Sequence, residues 1–442
     1  MNNETTSTNN PLNAVHTGRM TASQWLIVLI CLGLLALDGY DVLSISFAAP
    51  GMTEEWGLSK AALGVILPLE LLGMAFGSIG LGSFSDNMGR KLTTLFALVL
   101  VTIGMFAAAI APNVYLLGIG RIITGIGVGG ILATATTTAA EFCNNKNRSL
   151  AVILVAGGYS FGIYLGATFL APLLKQYDWR ITFHLGAVMS LLFIPIVYVF
   201  VPETISYLNR KRPTGALEKV QAILQKIGHK PVDTLGPVPQ NTAEKISPIT
   251  LFKPQTALVT IILMLAYFGN IGTYYYFVKW LPTIVTDLGY TKSEATMVLG
   301  IISLGGVFGS IGVGFIARLV PVKPLMMITL LASAAGVALF PYFVGSLVNM
   351  KIVGFATGVA IFGAISGFFG LFVASYPASL LSSGSGFVLG IGRGGAVLGP
   401  FIPGLLFTAG LDLKLVAIIM AGGSLIAGFI IIFLPRKTDA IA

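Results

Sequence analysis

Asp38 and Asp41 stand three residues apart in the run Leu37-Asp38-Gly39-Tyr40-Asp41, inside the first long apolar stretch of a 442-residue chain. A carboxylate at bilayer depth costs about 2.5 to 3.5 kcal/mol on insertion scales, and this spacing sets both on one helix face. Two neighbouring carboxylates in a low dielectric cannot both ionise cheaply, so one is expected to hold a proton readily. The alternative for Asp41 is a cap or kink at Gly39 that satisfies local backbone. Glu70, Arg121 and Arg393 are the other charges inside apolar runs. Arg121 does not lose its proton, so it either holds an acidic partner ionised or packs against backbone carbonyls. Arg393 offers a planar fork to a carboxylate, or else pairs with a neighbouring helix. Glu70, near Pro68, is a relay or a paired interior carboxylate, and His184 is expected to cap or snorkel.

These charges need a membrane around them. A hydrophobic fraction of 55%, only 10% charged residues and a mean hydropathy of +0.89 exclude a soluble globular domain. Apolar runs of spanning length lie near 24–46, 60–83, 93–110, 114–137, 149–172 and 180–201, then 256–279, 293–318, 322–344, 349–373, 384–408 and 413–434. They predict an all-α membrane protein of twelve transmembrane helices, two six-helix bundles around a central cavity. The divisions are a tail at 1–22, a bundle at 23–202, a connector at 203–254, a second bundle at 255–435 and a tail at 436–442. The connector carries an amphipathic run at Leu217 to Ile227 and is too short for its own core.

The net charge of +9 is distributed by side. Seventeen Lys and Arg fall on segments that share a side with the termini, against seven on the other: Lys60, Lys175, Arg180, Lys279, Lys292, Lys351 and Lys414. That follows the positive-inside rule, placing both termini in the cytoplasm, with no nucleic-acid partner. No cleavable signal is read in residues 1 to 20. Cys31 and Cys143 form neither a disulfide framework nor a metal spacing. No nucleophile-base cluster appears either, so no enzyme activity and no cofactor is expected.

The halves repeat. A shift of 232 lays Gly82-x3-Asp86-x2-Gly89-Arg90-Lys91 on Gly314-x3-Arg318-x2-Pro321-Val322-Lys323, Gly158 and Gly162 on Gly390 and Gly394, and Asp38 on Asn270. This is the pattern of parallel repeats about an axis along the membrane normal.

The loop Gly82-Ser83-Phe84-Ser85-Asp86-Asn87-Met88-Gly89-Arg90-Lys91 resembles the signature loop of the major facilitator superfamily; Gly82 would let helices approach, and Asp86 cap or pair with a helix end. Arg121 with Gly125, Gly127, Gly129 and Gly130 looks like its second motif. The ridge Gly158-x3-Gly162-x3-Gly166 permits a tight helix crossing, but has no Gly-Pro pair, and no proline appears until Pro172, which disfavours a drug antiporter. Asp38-Gly39-Tyr40-Asp41, with Arg393-Gly394-Gly395, Tyr376-Pro377 and Pro202-Glu203-Thr204, resembles the aromatic acid/proton symporter family over about residues 20 to 435. The run Leu380-Leu381-Ser382-Ser383-Gly384 departs from it by lacking a basic residue.

The resemblance implies a monomeric carrier in a bacterial inner membrane that works by alternating access, taking in a small aromatic or related carboxylate with protons. Asp38, Asp41, Arg121 and Glu70 would couple protons, and Arg393 would bind the acid. The loop Gly82, Asp86, Gly89, Arg90 and Lys91, with Glu141 and Arg148, would serve conformational gating. In the run Gly269 to Phe277, one or two of three successive tyrosines can face a cavity and sandwich a ring, so Tyr274, Tyr275, Asn270 and Tyr40 join the candidate binding residues. For Tyr276, Phe277 and especially Trp280 the alternative is an interfacial aromatic belt. Phe368, Phe369 and Phe372 form another wall or face lipid. A monoanion entering a negative-inside cell climbs about 2.3 kcal/mol per 100 mV, which one accompanying proton cancels. The competing readings are a carrier of a cationic or zwitterionic ion with the aspartates as ligands, or a transporter-like sensor.

Overall fold

The computed structural model describes residues 11–235, 251–377 and 380–435, without the side chains of Pro254, Gln255 and Ser382. Lys245, Arg436 and Lys437, assigned above to the side of the termini, lie outside the described residues.

A short helix α1 (Pro11–Thr17) precedes α2 (Ala22–Trp56), α3 (Lys60–Ile66), α4 (Leu69–Met88), α5 (Arg90–Ala109), α6 (Val114–Phe142), α7 (Arg148–Leu173) and α8 (Ile181–Phe200). The connector carries α9 (Ile205–Lys211) and α10 (Ala216–Lys226). The second half comprises α11 (Pro254–Asp287), α12 (Lys292–Ile316), α13 (Val322–Leu339), α14 (Leu347–Ser375), α15 (Leu381–Thr408) and α16 (Leu413–Ile430). Twelve helical segments are long and apolar enough to span a membrane, with α3 and α4 forming one of them. Pro68, which has no N–H to donate, interrupts that span between its two parts. Starts are set by local chemistry: Thr21 with Gln24, and Thr291 with Glu294, form capping boxes.

Apolar side chains point both ways. Leu29, Ile79, Ile103, Phe308 and Ile426 are exposed on the outer surface, where lipid is their solvent, so burial of apolar area does not choose the helix partners. Close-packing glycines do. In α7 a Cβ at Gly158, Gly162 or Gly166 would press into the Leu32 carbonyl, the Ala36 carbonyl or the Tyr40 ring, so the predicted ridge seats α7 on α2.

Both halves pack alike. α2 lies on α7, α4 on α6 and α5 on α8, and correspondingly α11 lies on α15, α12 on α14 and α13 on α16. Subtracting 232 from Pro254–Asp287 gives 22–55, against Ala22–Trp56, and Pro282 falls on Pro50. By α14 the offset has become 233, since Leu347 answers to Val114. Hence the alignment of Gly158 and Gly162 with Gly390 and Gly394 is corrected by one residue: a Cβ at Gly390 would meet nothing, while Gly395 abuts the Phe268 carbonyl as Gly162 abuts Ala36.

Contacts between the halves run α7 on α12, α3 on α15 and α2 on α11. At the end opposite the termini they are closed by the ion pairs Lys60–Asp287 and Lys292–Glu54, and by Gly64 against Gly404. Among the described residues no ion pair joins the halves at the end that carries the termini. There α1 and the connector grip the first half: Asn145 N–H donates to the His16 carbonyl at 2.9 Å, and Thr21 Oγ1 to the Ile227 carbonyl at 2.7 Å.

Candidate functional site

Four buried charges meet where α2, α4, α6 and α11 converge. Arg121 donates from Nη1 to Asp41 Oδ1 at 3.2 Å and from Nη2 to the Asp41 carbonyl at 2.8 Å, and pairs with Glu70 Oε2. The Phe183 ring lies 5.4 Å from its guanidinium carbon. Gly73 and Gly125 let α4 and α6 approach closely enough for these contacts, a Cβ on either meeting the other helix's backbone. Lys279, from the second half, donates to the Val42 carbonyl, and its Nζ stands 4.0 Å from Glu70 Oε2. Arg121 and Lys279 are both 0% exposed. Among the described residues Asp41 Oδ2 and Glu70 Oε1 are acceptors without a partner, and Arg121 Nε is a donor without one.

Lys279 corrects the sequence reading, which placed it at the outer end of the seventh span. The apolar window closes at 279, whereas α11 continues eight residues to Asp287, about 12 Å of further helix. Gly289, in a left-handed conformation at φ 93°, marks the true end two residues later. A glycine in that position was the signal available in the sequence.

Asp38 and Asp41 occupy different surroundings. Asp38 is buried with Oδ1 unpartnered, and interacts electrostatically with Glu70 and Asp41, then with Arg393, and with Tyr159, Tyr274 and Tyr275. Arg393 on α15 is half-buried and, among the described residues, makes no hydrogen bond or ion pair. Around these two lie rings: Tyr274 meets Tyr275 edge-on at 4.8 Å and Phe362 at 5.0 Å, and Tyr267 meets Phe368 at 5.1 Å. Tyr274 Oη donates to Tyr159 Oη at 3.5 Å across the two halves. Tyr159, Tyr267 and Phe362 went unnoticed in the sequence, because nothing in a lone aromatic within an apolar helix reports its direction.

Two predicted binding residues face elsewhere. Tyr40 donates to the Thr182 carbonyl at 2.6 Å and packs on Gly166 and Gly186, within the first half. Asn270 turns to α16, where its Oδ1 accepts from Ser424 at 2.9 Å. The interfacial belt is also corrected: Tyr276, Phe277 and Trp280 are buried, and Trp280 Nε1 donates to the Pro400 carbonyl at 2.8 Å. Phe368 and Phe372 are buried beside Tyr267, while Phe369 is exposed.

At the end with the termini, the predicted loop Gly82 to Lys91 is instead the last turns of α4, Gly89 and the start of α5, and it gathers ion pairs. Arg90 binds Glu141 through Nε at 2.9 Å and Nη2 at 2.8 Å, and Arg210 of α9 reaches the Asp86 carbonyl at 2.9 Å and its carboxylate at 3.5 Å. Glu203 caps α5, accepting from the backbone N–H of Arg90 at 2.9 Å and of Lys91 at 3.3 Å. Burial pushes the Glu203 carboxyl up, against the pull of these N–H groups. Gly89, at φ 97°, leaves room for that carboxylate, where a Cβ would collide. Gly82 has no such reason: a Cβ there would touch nothing, so the expected close approach is absent. Arg148 is exposed and makes no ion pair among the described residues.

A duplicated twelve-helix bundle with buried charge at its centre is the architecture of a secondary transporter. The Major Facilitator Superfamily matches this chain over residues 29–391 and 263–441, and the chain belongs to it. It is related to the 4-hydroxybenzoate, benzoate and gallate transporters of the aromatic acid/proton symporter family. It is 31% identical to the 4-hydroxybenzoate transporter PcaK of Pseudomonas putida, covering 94% of each chain. With the gallate transporter of the same species it shares 30% identity, over 90% of this chain and 88% of the relative. In fold it resembles the xylose transporter XylE of E. coli in a partially occluded inward open conformation, with a TM-score of 0.72, 21% identity, and coverage of 95% of this chain and 99% of that one. It is a multi-pass membrane transporter, not an enzyme.

Proposed function

We propose that this chain imports a small aromatic carboxylate together with protons, working as a monomer by alternating access between its halves. The observation that carries the reading is Arg393: a guanidinium that has no ion pair among the described residues and acts on Asp38 and on Tyr267, one of the ring-bearing residues of the wall. A carboxylate offers its fork two parallel bonds, and Tyr267, Tyr274, Tyr275 and Phe362 supply faces and edges for a planar ring. Asp38 and the Asp41–Glu70–Arg121 group are the proton-accepting part. The relatives named for gallate and 4-hydroxybenzoate support this substrate class. The positive-inside distribution supports cytoplasmic termini, and with that orientation the Lys60–Asp287 and Lys292–Glu54 pairs close the outside.

The test is uptake of labelled gallate, benzoate and 4-hydroxybenzoate into vesicles with an imposed pH gradient, comparing wild type with Asp41→Asn and Arg393→Ala. Gradient-driven accumulation that fails in both variants is expected. Accumulation indifferent to the gradient and to Asp41 would sink proton symport, carboxylate accumulation indifferent to Arg393 would sink its role as the acid's ligand, and wild type that takes up none of the three acids would favour a cation carrier with Asp38 as ligand.

A further inference from the structure

Lys279 is the one buried lysine among the described residues, and it reaches the first half's carboxylates from the second half. With Asp41 and Glu70 ionised, Arg121 and Lys279 bring the group to zero net charge. Without Lys279 it carries one uncompensated negative charge. The lysine is held there only because α11 lies against α2 at this depth, below the Lys60–Asp287 and Lys292–Glu54 closures. Parting the halves at that end withdraws its ammonium from both the Val42 carbonyl and Glu70. A lysine suits such a movement, being a compact charge on a flexible stem that re-hydrates readily.

The charges that face Lys279 are Glu70 on α4, Arg121 on α6 and Asp41 on α2. Asp38 acts on Glu70 and Asp41 and is offset by Arg393, and neither Asp38 nor Arg393 acts on the lysine. The charges of α12, α14 and α16 sit near their first turns, at Lys292, Glu294, Lys351 and Lys414.

We infer that Lys279 is a tethered cation that exchanges with the transported proton, an inference that rests on the proton-coupled reading above. While the outer end is open, Asp41, Glu70 and Arg121 hold one excess negative charge, and a carboxylate oxygen, Asp41 Oδ2 or Glu70 Oε1, binds one proton from outside. Closure brings the ammonium back into the group. The carboxyl O–H bond then breaks, its proton leaves to water on the cytoplasmic side, and Lys279 takes over the compensating charge. Reopening removes the lysine and restores the vacancy, so one proton crosses per cycle and no electrons change hands.

The experiment uses the full chain reconstituted in vesicles with labelled 4-hydroxybenzoate, comparing Lys279→Gln and Lys279→Arg. Gradient-driven accumulation in the Gln variant is expected to fall about tenfold or more, while exchange at equal pH falls only about threefold and the Arg variant keeps its gradient response. A Gln variant that accumulates like wild type overturns the tethered-cation role and leaves proton symport standing. Equal losses in both assays, with wild-type thermal stability, also overturn it by marking a structural role. If the Gln variant does not fold, a folded Arg variant without gradient response is the overturning result. Wild-type uptake indifferent to the gradient removes both this inference and the function beneath it.

Discussion

The phenol of Tyr274 in the second half donates to that of Tyr159 in the first at 3.5 Å, a thin polar bridge between helices that the proposed alternating access would separate. Removing either hydroxyl leaves the aromatic wall intact. Tyr159→Phe and Tyr274→Phe are therefore expected to weaken 4-hydroxybenzoate binding by about 2- to 10-fold, the worth of one neutral hydrogen bond. Their combined effect should fall short of the product of the two, because they lose the same contact. Binding isotherms on purified protein measure it.

Arg121 and Arg393 separate stability from transport. Arg121→Ala strands two buried carboxylates and should cost about 3 to 5 kcal/mol, visible as a marked fall in detergent melting temperature. Arg393→Ala removes a guanidinium that has no hydrogen bond or ion pair among the described residues, so stability should change by less than about 0.5 kcal/mol. Carboxylate uptake should nevertheless collapse. Equal melting losses would contradict the two environments described.

Gly162 and Gly82 make a matched pair of glycines. At Gly162 an added methyl presses into the Ala36 carbonyl, and Gly162→Ala should destabilise by about 1 to 3 kcal/mol, with reduced expression in membranes. At Gly82 there is open space in a helix, and Gly82→Ala should stabilise by roughly 0.5 to 1 kcal/mol. Thermal unfolding of both variants decides.

Acid should loosen the clamp at the termini. His16 and His229 both have pKa values lowered from 6.5, by burial in each case and by Arg148 at His16. A depressed folded value means the neutral ring is preferred in the clamped state. Its stabilisation is thus complete above pH 6.5 and is lost as pH falls through the depressed values. Faster amide exchange in α1 and α10 at pH 5 than at pH 7.5 is expected, and replacing both histidines with glutamine should flatten the difference.

The twelve spans and their duplication are legible because apolar run length and loop charge are one-dimensional properties. The buried carboxylates and Arg121 are legible by residue type, since charge inside an apolar run demands a partner. Which way a side chain points is a different matter. Tyr40 and Asn270 sit in the right helices at the right depth, yet rotate toward α8 and α16, because glycine contacts on neighbouring helices set the azimuth. Lys279 was lost to a boundary error: hydropathy ends a helix where polarity begins, while the backbone continues to its glycine stop.

The two halves share a backbone plan but have divided the labour. Both carboxylates and the arginine of the central charge group come from the first half, whereas Arg393 and most of the ring-lined wall come from the second. On the proposed function, most of what recognises the substrate is written on one stretch of the gene and most of what accepts the proton on another, with Lys279 the second half's share of the charge group. Chimaeras joined in the connector should exchange substrate preference with their second halves, and should keep gradient-driven uptake where the incoming half brings a lysine at this position.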